Sequence, residues 1–237
     1  MSTFCAIVTC HDAPADPIIE CLLAQTRPPT SIYLGLSGTG IIPADLLSNP
    51  AATRTLKTRN RDDFGYYKRN TLAAQATEDY LGFFCHDDSY HLSYIERMME
   101  VAEAKQADIV WCRWLDIPRC TFTPCSSTLG NFIISRALFS QLKGFPELEF
   151  NAPYKLRDGR TLHIVDHGLR DAVFIDMCKE ATTNIEHVPL MLYYHNVPFS
   201  PGVPVTSWGR KISSPMSYAQ CCHYTKQELQ CQAPPIS

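Results

Sequence analysis

Two adjacent carboxylates follow a short apolar run and form the pattern of this chain with the clearest chemical use. Residues 79–88 read DYLGFFCHDD, so Asp87 and Asp88 stand just after a predicted strand that ends at Cys85. Open α/β sheets present ligand-binding side chains at the carboxyl ends of their strands. Mg²⁺ binds through one or two carboxylates plus substrate phosphates, so the pair predicts a metal and diphosphate site. The same pair is also compatible with an Asx turn or a helix cap.

The elements that would position this pair alternate along the first half of the chain. The first 36 residues follow a strand, helix, strand order, which indicates a βαβ unit and a parallel sheet. Loops after three of the strands should therefore meet at one edge of the sheet, namely residues 9–12, 36–40 and 85–90. Strands are predicted over 4–10, 31–36, 53–58, 80–85 and 109–114, and helices around 18–23, 66–76 and 92–102.

The second half of the chain is less regular, and a mixture of helices and strands is predicted there. We predict one α/β domain over residues 1–197, divided into 1–115 and 116–197, followed by a tail over 198–237 that is rich in Pro, Ser and Tyr. The predicted elements of the second half are strands over 129–134, 161–165 and 190–195, and helices over 137–142 and 168–180.

Composition is typical of a globular enzyme. The 237 residues are 45% hydrophobic and 19% charged, with a formal net charge of −3. The charge pattern contains no long basic stripe, so we expect no nucleic-acid partner. No apolar stretch approaches the roughly 20 residues of a membrane span, so we expect no integral membrane segment. The 11 cysteines lie largely in apolar segments, which indicates reduced thiols and a cytoplasmic location.

Several short motifs, in their order and spacing, resemble the glycosyltransferases of GT-A fold, in particular the inverting family 2. The resemblance covers residues 4–197 and rests on segments 6–12, 23–26, 68–70, 130–136 with 144–145, and 188–195. It implies a single GT-A domain with a mixed, mostly parallel central sheet flanked by helices. It also implies metal-dependent transfer of a sugar from a nucleoside diphosphate, UDP foremost, to a hydroxyl of a carbohydrate or lipid-linked glycan acceptor, as in polysaccharide biosynthesis.

The resemblance implies a nucleotide site at the ends of the first two strands. The loop after the first strand would hold the nucleobase through Thr9, His11 and Asp12, with His11 where an aromatic ring usually stacks. The family usually carries two carboxylates after the second strand, where this chain has Leu36 and Ser37. Ser37 would then make the hydrogen bond to the base, which leaves a base other than uracil possible.

Two cations and a set of metal ligands complete the implied donor site. Lys68 and Arg69 would face the phosphates, or alternatively only decorate the start of a helix. The family's Asp-x-Asp motif, which binds the metal and the diphosphate, falls on the CHDD run. Asp87 matches the second aspartate, whereas the first is replaced by a cysteine or, with a shift of one residue, by His86. The ligands predicted for Mn²⁺ or Mg²⁺ are Asp87, Asp88 and the late histidine His195, which is otherwise a structural histidine.

Inversion at an anomeric carbon requires a general base that takes the proton of the acceptor hydroxyl. The resemblance places this base at the start of a helix in the second half, where the chain offers Asp171 and Asp166. Asp171 fits better because the apolar helix face follows it directly, and Asp166 is the reserve. Either carboxylate is also explained as a residue favoured at a helix start by the macrodipole.

Three alternatives stay open at the level of sequence. A nucleotidyltransferase also uses a nucleotide-binding α/β domain, but the loop after the first strand lacks the usual Gly and Lys. A silent member that binds a nucleotide sugar or a glycan without turnover is suggested by the substitutions at Cys85 and Leu36. A zinc or redox site near Cys221, Cys222 and His223 is the third, although the paired spacing of a structural zinc site is missing.

Overall fold

The fold is seen in a computed structural model that describes most of the first 195 residues. The described residues are 1–11, 15–38, 52–58, 65–86, 88–116, 121–123, 129–148, 153–163, 167–195, 206–207 and 210–211. The carboxylates Asp12, Asp87 and Asp166, for which we predict functions, lie outside these ranges, as does the Cys221 region.

Helices in the described residues follow the predicted order. They are α1 (Asp16–Leu23), α2 (Tyr66–Ala73), α3 (Tyr94–Lys105), α4 (Arg136–Gln141) and α5 (His167–Ala181), with a 3₁₀ turn over Leu129–Asn131. None of them combines the length and the apolar character that crossing a membrane requires.

Strands alternate with these helices along the first half and continue into the second. They are β1 (Phe4–His11), β2 (Ser31–Ser37), β3 (Ala52–Thr58), β4 (Tyr80–Cys85), β5 (Ser89–Tyr90), β6 (Ile109–Asp116), β7 (Thr121–Thr123), β8 (Phe132–Ser135), β9 (Pro153–Lys155), β10 (Thr161–His163), β11 (Ile185–His195), β12 (Thr206–Ser207) and β13 (Arg210–Lys211). The pairs β9–β10 and β12–β13 form small separate hairpins.

One mixed sheet organises the domain. Its strand order is β3-β2-β1-β4-β8-β6-β11-β5, and β7 pairs with β6. The four strands from β3 to β4 run parallel, β8 is antiparallel to both of its neighbours, and β11 is parallel to β6. The chain moves from β1 outward to β2 and β3 and then returns to the other side of β1 as β4. This reversal creates a topological switch point between β1 and β4, where open α/β sheets bind ligands.

Helices cover both faces of the sheet because β1 alternates its side chains between two cores. Ala6 and Val8 pack in one cluster with residues of α1 and α3, whereas Cys5 and Ile7 pack in the other with residues of α2, α4 and α5. Side chains on both faces of β1, β2 and β4 are thus largely buried, as the continuous apolar sequences of these strands require. This is the predicted α/β architecture.

Differences from the predicted elements lie mainly in the second half. The segment predicted as a strand over 129–134 begins with the 3₁₀ turn, and the strand follows at Phe132. Tyr94 donates a hydrogen bond to the carbonyl oxygen of Gly130 at 3.0 Å, so this turn is fixed by a tertiary contact that sequence periodicity does not reveal. The strand predicted over 190–195 begins earlier, at Ile185, and β5, β7 and β9 have no counterpart among the predicted strands.

The cysteines in the described residues are consistent with the predicted reduced state. Cys5, Cys10, Cys21, Cys112 and Cys178 are buried thiols, and Cys85 is a partly exposed thiol. Burial raises the pKa of the Cys5 thiol to about 12, so this side chain is an uncharged core residue.

Candidate functional site

Three neighbouring parallel strands end together at the switch point. In the sheet register His11 of β1 lies opposite Ser37 of β2, and Thr9 of β1 lies opposite Cys85 of β4. Adjacent strands are about 4.8 Å apart, so β2 and β4 lie about 10 Å apart on the two sides of β1. The sequence prediction that the loops after these strands share one edge is confirmed.

Arg69 joins the two strands of the switch point. Its Nη2 donates to Oγ1 of Thr9 at 3.0 Å and to Sγ of Cys85 at 3.1 Å, and the side chain is only 4% exposed. Its guanidinium carbon also lies 5.4 Å from the centre of the Tyr66 ring. Burial by itself would lower the pKa of Arg69, but Cys85, Tyr66 and Asp171 outweigh it and raise the pKa. A permanent cation therefore sits at the switch point, where it can bind an anionic group.

The backbone at Gly65 directs Lys68 and Arg69 toward this edge. Gly65 precedes α2 with φ 84° and ψ 5°, a left-handed conformation that glycine adopts without strain. A Cβ at this position would stand 3.6 Å from Cβ of Thr9 and 3.7 Å from Nη1 of Arg69. These distances are ordinary van der Waals contacts, so the positive φ, rather than a lack of space, is the reason for glycine at this position.

A second cluster stands at the end of β2. Nζ of Lys68 donates to Oγ of Ser37 at 2.5 Å, and the same Oγ lies 3.1 Å from Nδ1 of His11. Ser37 and Lys68 are buried, whereas His11 is exposed. The structure therefore brings together three of the side chains predicted to bind the nucleotide.

Asp171 meets the start of α2 from the other half of the chain. The hydroxyl of Tyr66 donates a short hydrogen bond to Oδ1 of Asp171, and the backbone N–H of Leu129 also donates to this carboxylate. Burial raises the pKa of Asp171 to about 6, against the lowering effects of Tyr66, Arg69, Leu129 and His195. A carboxylate with a pKa near neutrality accepts a proton more readily than an ordinary surface aspartate.

Asp88 and His195 contact each other near the edge of the sheet, where β5 pairs with β11. Oδ1 of Asp88 lies 2.9 Å from Nδ1 of His195, and the hydroxyl of Tyr193 lies 2.8 Å from the same nitrogen. The Asp88 side chain is 1% exposed and that of His195 is 30% exposed. The Trp114 ring packs against the imidazole with ring centres 5.7 Å apart. These contacts fix the orientation of a histidine that remains accessible at its edge.

The predicted metal ligands are only partly comparable with the structure. Asp87 lies outside the described residues, and within the described ranges no three His, Cys, Asp or Glu side chains cluster so as to hold a metal ion. Cys85, which replaces the first aspartate of the family motif, accepts a hydrogen bond from Arg69. His86 is described in the turn after β4 and is partly buried. The contact between Asp88 and His195 is the carboxylate–histidine arrangement that often orients a metal-binding imidazole.

Two tyrosines contact the candidate site residues, although neither is among the side chains predicted to bind the nucleotide or the metal or to act as the base. Tyr66 contacts both Asp171 and Arg69, and Tyr193 contacts His195. The position of Tyr66, three residues before Arg69 in the first turn of a helix, is the available signal for the first. For Tyr193, the signal is its spacing of two from His195 on one strand, which puts both side chains on the same face.

Comparison with known proteins gives similarity at the level of three-dimensional structure. No family model matches the chain, and no curated protein matches it by sequence. S. aureus TarS superimposes with a TM-score of 0.60 at 16% identity, over 82% of this chain and 37% of TarS. TarS in complex with UDP-GlcNAc superimposes with a TM-score of 0.59 at 14% identity, over 81% of this chain and 58% of the other.

A further solved structure shares the architecture. Glucosyl-3-phosphoglycerate synthase from Mycobacterium tuberculosis, in complex with Mn²⁺, UDP and phosphoglyceric acid, gives a TM-score of 0.51 at 13% identity, over 82% of this chain and 70% of the synthase. The fold is that of the GT-A glycosyltransferases. The chain spans between 37% and 61% of the length of the TarS chains it matches.

Proposed function

We propose that this GT-A chain is an inverting glycosyltransferase that moves a sugar from a nucleoside-diphosphate sugar to a hydroxyl of an acceptor. The observation that carries the proposal is the contact of Tyr66 with both Asp171 and Arg69. Through these contacts Tyr66 connects the buried cation at the switch point with a carboxylate whose pKa is raised to about 6. A proton acceptor and a binding group for a leaving diphosphate are thus held next to each other.

Donor binding is assigned to the edge formed by β2, β1 and β4. Arg69 would hold the diphosphate, because a guanidinium matches phosphate oxygens in geometry and charge. Thr9, His11, Ser37 and Lys68 would surround the nucleoside. UDP is the first donor nucleotide to test, because TarS and the synthase were both solved with it.

Asp171 would act as the general base. The acceptor hydroxyl gives its proton to the Asp171 carboxylate while its oxygen forms a bond to the anomeric carbon. The bond from that carbon to the diphosphate oxygen breaks, and its electron pair leaves with the diphosphate. Arg69 stabilises the charge that develops on this leaving group. Asp166 is the alternative candidate for the general base.

The residues where β5 pairs with β11 are compatible with a bound divalent cation. His195 would hold Mn²⁺ or Mg²⁺ through Nε2, since Nδ1 contacts Asp88, and Asp87 would supply a carboxylate. The buried carboxylate of Asp88 within hydrogen-bonding distance of the imidazole is the observation that fits this use. A bound cation would neutralise negative charge on the donor diphosphate.

Binding without turnover is the second candidate function. The hydrogen bond from Arg69 to Cys85 favours this second function. Cys85 occupies the position at which the family has a metal-binding aspartate. Such a protein would bind the donor and leave it intact. A carbohydrate or lipid-linked glycan acceptor and a cytoplasmic location remain predictions under either function.

Donor hydrolysis in the presence of Mn²⁺ tests both candidates without knowledge of the acceptor, because water replaces the acceptor hydroxyl. We expect the wild type to release UDP from UDP-GlcNAc or a related UDP-sugar. Asp171→Asn should retain UDP binding in a thermal-shift assay. Its hydrolysis rate should fall by a factor of about 10² to 10⁴, the usual contribution of a general base. Asp176→Asn, which changes another aspartate of α5, is the matched control and should retain the rate.

The outcomes separate the functions. Equal hydrolysis by Asp171→Asn and the wild type would remove Asp171 as the base. Binding of UDP without release from any UDP-sugar, with or without Mn²⁺, would favour the silent binder. No thermal shift with UDP, GDP, CDP or dTDP would contradict both.

A further inference from the structure

The 3₁₀ turn before β8 lies against the proposed general base. Its first residue, Leu129, directs its backbone N–H to the carboxylate of Asp171. The segment also packs on α5, because the Phe132 ring stacks on the ring of Phe174, three residues after Asp171, with ring centres 6.2 Å apart. Leu129 and Phe132 are both buried. The surroundings of this carboxylate therefore depend on a segment that is distant from α5 in sequence.

Tyr94, the first residue of α3, holds this segment through its hydroxyl. The hydroxyl donates to the carbonyl oxygen of Gly130 at 3.0 Å and lies 3.4 Å from the carbonyl oxygen of Phe132. The side chain is 1% exposed, and its ring packs against the Tyr90 ring with ring centres 4.9 Å apart. A buried ring packed in this way keeps its hydroxyl in one place, so Tyr94 fixes two carbonyls of the segment that carries Leu129.

The middle residue of the turn is packed so closely that its backbone has little freedom. A Cβ at Gly130 would stand 2.5 Å from Cζ of Tyr193 and 2.7 Å from the hydroxyl of Tyr90. Aromatic rings thus touch the backbone directly, and the Tyr94 hydroxyl is a hydrogen-bond donor among them. Removal of this hydroxyl would take a donor from buried carbonyl oxygens, which costs stability and lets the turn move.

We propose that Tyr94 is a positioning residue for the reaction, because through the 3₁₀ turn it holds the N–H of Leu129 against the carboxylate of Asp171. The inference rests on the proposed function, since it takes Asp171 as the general base. Tyr94 acts through the backbone of the turn rather than on a reacting atom. A buried tyrosine in the core would thereby set the charge state of a carboxylate in the site.

The expected effect of removing the hydroxyl follows from the groups that face Asp171. Burial raises its pKa to about 6, and the groups that oppose this effect are Tyr66, Arg69, Leu129 and His195. An N–H directed at a carboxylate stabilises the charged form. Tyr94→Phe keeps the ring but loosens the turn, so the Leu129 contact should weaken and the pKa of Asp171 should rise. We expect a rise of about half a unit to one unit, which is about three- to tenfold tighter proton binding.

Nuclear magnetic resonance titration of the Asp171 carboxyl carbon measures this rise without any substrate, and Asp171→Asn identifies the resonance. Tyr80→Phe is the matched control. The Tyr80 hydroxyl lies 3.0 Å from the carbonyl oxygen of Ala107 and 3.4 Å from that of Ala102, so it makes equivalent contacts in another part of the core. Tyr94→Phe should raise the pKa of Asp171, whereas Tyr80→Phe should leave it unchanged. In the wild type, the amide proton of Leu129 should shift with the same midpoint as the Asp171 carboxyl.

An unchanged pKa in Tyr94→Phe, or an equal rise in Tyr94→Phe and Tyr80→Phe, would overturn the inference. A Leu129 amide proton that does not follow the titration of Asp171 in the wild type would also overturn it, and this measurement requires no variant to fold. The acid limb of kcat/KM for donor hydrolysis should move together with the measured pKa. A limb that stays in place while the pKa rises would remove Asp171 as the base, and with it the role of Tyr94 in the reaction. Failure of the proposed function thus appears in the rate, whereas failure of the contact appears in the resonances.

Discussion

Tyr66→Phe isolates the effect of one hydrogen bond on the proposed base. The change removes the hydroxyl that donates to Asp171 but keeps the ring that lies 5.4 Å from the guanidinium carbon of Arg69. Burial is the main cause that raises the pKa of Asp171 to about 6, and the Tyr66 hydrogen bond opposes it. Without that bond the charged carboxylate loses a stabilising contact, so its pKa must rise further.

The magnitude comes from the energy of a hydrogen bond to a charged group. Such bonds contribute about 1.5 to 3 kcal/mol, and 1.36 kcal/mol corresponds to about one pKa unit. We therefore expect the pKa of Asp171 to move upward by about one to two units in Tyr66→Phe. Because the base works in its deprotonated form, the acid limb of the rate profile should move from about pH 6 to about pH 7 to 8.

The assay is the pH dependence of kcat/KM for donor hydrolysis, measured from pH 5 to about pH 9. Tyr67→Phe changes the adjacent, exposed tyrosine of the same helix turn and should leave the acid limb in place. A limb that stays at its wild-type pH in Tyr66→Phe, or that moves to lower pH, would refute the assignment of Asp171 as the titrating base.

Two further predictions concern stability. The folded-state pKa of Asp171 lies near 6 and above its ordinary value of 3.8, so the folded protein binds more protons than the unfolded chain in this interval and loses stability as the pH rises through it. Asp171→Asn should remove this loss and raise the thermal midpoint more at pH 8 than at pH 4; an equal change at both pH values would contradict the burial argument. Gly130→Ala should destabilise by about 1 to 3 kcal/mol through overpacking, because its Cβ would lie 2.5 Å from Cζ of Tyr193 and 2.7 Å from the Tyr90 hydroxyl. Urea unfolding checks this, with Ser140→Ala as an exposed control, and a cost below about 0.5 kcal/mol would show that the rings move aside.

Much of the fold of residues 1–115 could be predicted because its signals are local. The apolar runs of β1, β2 and β4 and the helix after Gly65 are each set by consecutive residues. Parallel connections then force the ends of these strands to one edge, where Lys68 contacts Ser37 and Arg69 contacts Thr9. The second half was harder, since its short strands are fixed by pairing with distant partners. β5 has only two residues, and it exists because β11 pairs with it.

The resemblance to the GT-A glycosyltransferases supplied most of the candidate side chains, whereas the sequence pattern itself determined the alternation of strands and helices and the edge at which the polar loops meet. These depend on residue type and on periodicities of two and 3.6, which are properties of short segments. Only the tertiary structure decided which side chains act together. Tyr66 and Asp171 are 105 residues apart and Asp88 and His195 are 107 apart, so neither contact has a local signal. Packing of α5 against the sheet and pairing of β11 with β5 create these contacts, and burial raises the pKa of Asp171.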